Sequence, residues 1–214
     1  MASIAERKQP LRVLALLDGL ARVSVFNVPL RAVHELAYLA NVLAPVFELP
    51  AVSASLLKRR GGPYYPELQQ TVDRLVGLGM VTVSGLRYIY IAEEERYRMD
   101  AGYALDEVRT NDLLRHYRDI YWETGEPHFI EQLTAAYAVL NEDLSDGVVL
   151  QDARYADDDV DTNDVIDFGE WSVLEASNFS FNAAMAFRPG EPLRPAERLF
   201  MYMEHMQRRV THAR

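Results

Sequence analysis

The chain has 214 residues, 49% of them hydrophobic and 25% charged, with a net charge of -10 and no cysteine. That is ordinary globular composition, long enough for one large domain or two small ones around a sizeable core. The lack of cysteine excludes a disulfide framework, thiolate metal sites and a cysteine nucleophile, and it fits a cytoplasmic location. The opening residues, MASIAERKQP, lack the apolar core of a signal peptide, and no run of about 18 apolar residues is present to span a membrane.

The negative charge is concentrated in one place. Residues 141–170 hold eleven acids against one base, Arg154, and so account for the whole net charge. Residues 1–91 hold ten bases against six acids. The low overall pI is therefore no argument against nucleic acid contact by the first half.

In chain order, Leu11, Leu14, Leu17, Leu20 and Ala21 share one helical face over residues 10–23. Asn27 followed by Pro29 predicts a helix start, because proline is tolerated where the amide would be unpaired anyway. Leu30, Val33, Leu36, Ala37, Ala40 and Leu43 then keep the helical period as far as Pro45. Residues 52–58 predict a further short helical piece, broken by RRGGP. Pro66 opens the next helix, with Leu68, Val72, Leu75 and Val76 inward, and Gly77 and Gly79 end it. MVTVS and LRYIYI predict two strands about a tight turn at Ser84-Gly85. Helix, helix, short helix, helix and hairpin over residues 1–91 is the order of a winged helix, a module that often grips DNA.

The polar AEEERYRMD after Ile91 marks an expected boundary. Residues 92–140 predict a helical region. Leu113, Leu114, Tyr117, Ile120 and Tyr121 form one stripe with Asn111 as its cap, and Pro127 starts a second helix with Phe129, Ile130, Leu133, Tyr137 and Leu140 inward. Residues 141–170 are expected as an acidic loop with a short strand at GVVL. Residues 171–214 form a C-terminal helical region. It holds SFNAAMAF as a short helix ended by Pro189 and Gly190, then a helix from Pro195 with the stripe Leu199, Met203, Met206 and Val210. The expected fold class is mainly α with a small β wing: an N-terminal winged helix followed by a helical C-terminal region.

Catalytic patterns are missing from the sequence. There is no G-x-x-x-x-G-K-[ST], no G-x-G-x-x-G and no G-x-S-x-G. HELAY at His34 begins like a zinc-protease helix but has Tyr38 where the second histidine would stand. Asp157, Asp159, Asp161 and Asn163 alternate as in a calcium loop, yet Thr162 replaces the turn glycine and Phe168 the closing glutamate. No metal, cofactor or catalytic residue is assigned.

Lys58, Arg59 and Arg60 precede the helix from Pro66, and Arg74 and Arg87 extend that patch onto the helix and the wing. These are the candidate DNA contacts, suited to weak, salt-sensitive phosphate binding. Glu67 and Asp73 on the same helix oppose base reading and favour protein docking. Tyr64, Tyr65, Tyr88 and Tyr90 are candidate partner contacts, because tyrosine is favoured at interfaces, with core packing as the default alternative. Phe200, Met203 and Met206 join them, since the last helix is more apolar than a surface helix needs.

NDVIDFGEW, SFNAAMAF and LRPAERLFMYMEHMQRR, behind the winged-helix pattern, resemble the middle component of bacterial ABC three-component defence systems of the Lamassu type. The resemblance covers most of the chain as layout, and its specific portion is short, about residues 163–171 and 193–209. It implies a small non-enzymatic subunit that accompanies an SMC-like ABC ATPase and an effector, often a nuclease, with nonspecific double-stranded DNA contact compatible with that role. The acidic loop would then dock on a basic partner surface. Two rival functions remain at this point: a winged-helix transcriptional regulator, and an enzyme with a metal in the acidic loop.

Overall fold

Helix α1 (Ile4–Arg22) is the element on which the first half is assembled, packing against α2, α3, α4, α5 and β4 as each arrives along the chain. Val13, Leu14, Leu16, Leu17 and Leu20 are buried, so its apolar face is wider than the predicted stripe. Gly19 marks a close crossing: a Cβ there would stand 2.9 Å from Thr134 Cγ2 on α5. Thr134 turns its hydroxyl back to donate to Ile130 O at 2.8 Å.

The computed structural model describes residues 4–50, 55–58, 62–92, 95–140, 148–152, 155, 165–167, 178–187 and 193–213. After α1 come β1 (Val28–Pro29), α2 (Leu30–Leu43), a 3-10 turn (Ala44–Phe47) and β2 (Ser55–Leu57). Then follow α3 (Pro66–Gly77), β3 (Val81–Ile91), β4 (Arg96–Leu105), α4 (Glu107–Tyr121) and α5 (Glu126–Leu140). A 3-10 turn (Val148–Gln151), β5 (Val165–Asp167), α6 (Phe179–Ala186) and α7 (Pro195–Ala213) complete the order. The protein is mainly helical, with an antiparallel sheet of order β1-β4-β3 and a separate β2-β5 pair. Among the described residues no helix is long and apolar enough to cross a membrane.

Helix α2 is the central core helix. Every residue from Ala32 to Leu43 is buried, including the polar His34, Glu35 and Asn41. A helix apolar nearly all round can only sit inside the molecule.

Four local expectations are corrected. Ser84-Gly85 is not a turn. Ser84 pairs with Gly102 and Arg87 with Asp100, so Gly85 and Leu86 together face Ala101 as a bulge within one long strand. Gly85 has φ +62, the left-handed conformation that such a bulge places on glycine. The last pair of the two strands is Ile91 with Arg96, so the hairpin closes inside the polar stretch expected as a boundary. Residues 55–57, expected as helix, are strand, because residues 165–167 pair with them in antiparallel register. Of GVVL, the described residues Val148–Leu150 lie in a 3-10 turn with Val148 and Val149 buried, and not in a strand. The cap of α4 is Asp106, whose carboxylate accepts from Arg109 N at 3.0 Å, and Asn111 lies within the helix.

The C-terminal helices close on α2 through one carboxylate. Asp152 is fully buried and accepts from Tyr38 of α2, from Ser180 Oγ of α6 at 2.8 Å and from the Tyr202 hydroxyl of α7 at 2.8 Å. Tyr155 N donates to it at 3.2 Å. Burial, with Asp152 alongside, raises the Tyr38 hydroxyl well above its ordinary range, so Tyr38 remains the donor. Asn178 adds a second tie: its amide donates to Val42 O at 3.0 Å while its carbonyl caps α6 at Phe181 N.

Asp152→Ala would remove the acceptor shared by three buried hydroxyls and an amide. Losing a buried hydrogen-bond partner costs about 1–3 kcal/mol, and several are lost at once, so urea titration should show a loss of about 3 kcal/mol or more, with Asp152→Asn intermediate. An alanine variant as stable as the parent would contradict this role.

Candidate functional site

The site is built on α3. Pro66 stands at its first position, where a missing amide costs nothing, and Tyr65 precedes it in extended conformation. The Tyr65 amide donates to His34 Nδ1 at 3.2 Å, and the two rings stack at 6.3 Å. His34 is thus a buried link between α2 and α3. Leu68, Val72 and Leu75 are buried, as their spacing predicts. The helix ends in a Schellman turn: Gly79 N reaches Val76 O at 2.9 Å and Met80 N reaches Leu75 O at 3.0 Å, with Gly79 at φ +68.

That geometry turns Glu67, Gln70, Asp73 and Arg74 outward, and all four are exposed. Gln69 donates to Asp73 at 2.9 Å. Part of this face is also the wall of a groove. Glu67, Gln70, Thr71 and Arg74 line one side of a hollow of about 660 Å³ between α1, α3 and α4. Leu11, Leu14, Leu75, Leu78, Met80 and Leu113 supply its apolar surface. Leu78 remains 52% exposed at the groove.

The predicted basic residues do not form one free cationic patch among the described residues. Lys58 is half-buried with its ammonium 5.7 Å from the Tyr155 ring centroid. Arg74 is exposed on α3. Arg87 is held by Asp100, with Nη2 at 2.8 Å from the carboxylate. Arg59 and Arg60 lie outside the described residues, as do Asp157, Asp159, Asp161 and Asn163.

The candidate partner contacts divide by burial. Tyr65, Met203 and Met206 belong to this chain's own core and are not on its surface; core packing, the default alternative, is what the structure gives them. The Tyr65 hydroxyl accepts from Asn41 at 3.2 Å. Tyr64 is half-buried against His34, and Phe200 is half-buried. Tyr88 and Tyr90 are exposed on β3. Their cross-strand neighbours, Met99 and Tyr97, are exposed as well; residues 96–105, expected within a boundary at AEEERYRMD and a helical region over 92–140, are strand because they pair with β3. The alternation Tyr97, Met99, Ala101, Tyr103, Leu105 was the available signal.

Buried polar groups hold these elements in place from beneath. Arg12 Nη1 donates to Asn41 Oδ1 at 3.2 Å, and Arg12 Nε lies 3.8 Å from Glu126. Burial pulls the Arg12 guanidinium below its ordinary range, opposed by Glu126. Glu35, fully buried, accepts from Arg31 at 2.7 Å and from the Tyr137 hydroxyl at 2.6 Å. Burial raises its carboxyl pKa, with Arg31 and Tyr137 acting the other way. No cluster of three or more metal-ligating side chains occurs among the described residues.

The structure therefore defines a mainly α protein with a small antiparallel ribbon and an apolar groove beside α3. No family model, curated protein or solved structure matches this chain.

A raised folded-state pKa means that the folded state keeps its proton longer than the unfolded chain. The stability tied to Glu35 is then full below the ordinary carboxyl value of 4.5 and lost as pH rises through the higher folded value. Melts across acid to neutral pH should show the parent losing stability relative to Glu35→Gln as pH rises. A difference independent of pH would refute the assignment.

Proposed function

We propose that this chain is a non-catalytic accessory subunit that docks on an SMC-like ABC ATPase within a bacterial defence complex, alongside an effector. The observation that carries the reading is the groove beside α3. In a DNA-reading winged helix the corresponding helix faces a duplex with cationic side chains. Here its outward residues include Glu67 and Asp73 and partly wall a hollow with an apolar floor. Such a surface accepts apolar side chains of a protein, and acids on it approach phosphates unfavourably.

The winged-helix assignment is part of the proposal. It is supported by the order α1-β1-α2-α3-β3-β4 together with the sheet order β1-β4-β3. The exposed Arg74 is compatible with nonspecific contact to double-stranded DNA in the assembled state. A regulator that reads sequence would need a more basic α3. The resemblance of the C-terminal segments to the middle components of three-component systems supplies the class of partner.

Co-expression with an SMC-like ABC ATPase, taken from beside this gene if one is encoded there, followed by affinity capture, tests the reading. The parent chain should retain the ATPase. Leu78→Glu combined with Arg74→Glu, both at exposed positions, should reduce retention at least tenfold with little change in melting temperature, a loss of about 1.4 kcal/mol or more in binding. Failure of the parent to hold the ATPase would overturn the accessory role; undiminished capture by the double variant would overturn the groove as the contact.

A further inference from the structure

Among the described residues, strand β3 has an open edge. The sheet runs β1-β4-β3, so within them β3 is hydrogen-bonded to a neighbour on one side only. β1 covers β4 only at Gly102 and Tyr103, so past the Gly85 bulge β3 and β4 stand as a two-stranded ribbon. A ribbon of two strands is marginal in water without a further strand or a packed face. Natural edges are usually guarded by lysine, proline or inward charge. β3 contains no lysine and no proline, and its one charge, Arg87, is held by Asp100. Tyr88, Tyr90, Tyr97 and Met99 occupy one face, at 69%, 53%, 69% and 44% exposure.

We propose that a second copy of this chain occupies the β3 edge, the two β3 strands running antiparallel about a two-fold axis near Ile89. The result is a continuous ribbon in the order β4-β3-β3-β4 across the dimer. Self-complementarity favours a copy over another partner. A two-fold axis sets the same surface against itself, so an unguarded charge tends to meet its like. About Ile89, Tyr88 opposes Tyr90 and Arg87 opposes Ile91, and no charge opposes its like. The face of three tyrosines and a methionine has no formal charge, so it continues across the axis without repulsion. The hairpin itself is nearly balanced in charge: residues 81–105 hold four acids and three bases. This inference goes beyond the accessory role and does not depend on it.

Sedimentation equilibrium of the full chain reads the mass, and amide exchange reads which strand is covered. The expected result is a dimer in which protection of the β3 amides rises with protein concentration. Tyr88→Lys combined with Tyr90→Lys sets cations opposite one another across the axis and should weaken the dimer at least tenfold. Because both side chains are exposed, far-ultraviolet circular dichroism should be unchanged. A chain that stays monomeric up to about 100 micromolar overturns the proposal, as does a dimer whose affinity the double variant leaves intact. Protection of β3 that arises only when the ATPase is added overturns it too, and assigns the edge to that partner.

Discussion

The molecule is closed by a single buried carboxylate. Asp152 receives hydroxyls from α2, α6 and α7, three elements that no sheet joins. A buried acid is costly unless its oxygens are well supplied with donors, and this one accepts from two tyrosines, a serine and a backbone amide. Because α2 is also the helix against which α1 packs, the same contact ties the C-terminal helices to the body that carries α3 and the hairpin. The apolar stripe of α7, with Leu199, Met203 and Met206 buried, seals that closure.

On that base the two surfaces of interest are placed by different interactions. The α3 groove is set by packing. Leu68, Val72 and Leu75 fix the roll of the helix, His34 fixes its start and the Schellman turn at Gly79 fixes its end. The ribbon is set by hydrogen bonding, since beyond Gly102 only β3 and β4 support each other. One surface is a hollow with a mixed charged wall, and the other is a projecting strand with a free edge. The two surfaces differ in shape and chemistry, so the accessory role proposed for the first and the self-association proposed for the second are separate readings.

Much of the fold could be read from residue spacing. The i, i+4, i+7 pattern of Leu68, Val72 and Leu75, bracketed by Pro66 and Gly79, marked α3 correctly, and Pro195 with Leu199, Met203 and Met206 marked α7. What spacing could not supply was pairing. Ser84-Gly85 has the composition of a hairpin turn, and only the partner strand 96–105 shows that it is a bulge. The three residues of β2 carry too little pattern to be told from helix without β5 opposite them. The candidate surface was half legible. The poor basicity of α3 and the tyrosines of β3 were visible, but Met203 and Met206 offer the same apolar signal whether they face a partner or a core. Asp152 was invisible as a core residue because ten other acids surround it in residues 141–170.

The central claim is that the outward face of α3 serves a protein and does not read bases. Fluorescence anisotropy with a labelled duplex, in random sequence and in the sequence upstream of this gene, tests it most directly. The account predicts weak binding that is equal for both sequences, falls away between about 50 and 200 mM salt, and is unaffected by Gln70→Ala. Nanomolar binding at physiological salt that prefers one sequence and is lost on Gln70→Ala would contradict it.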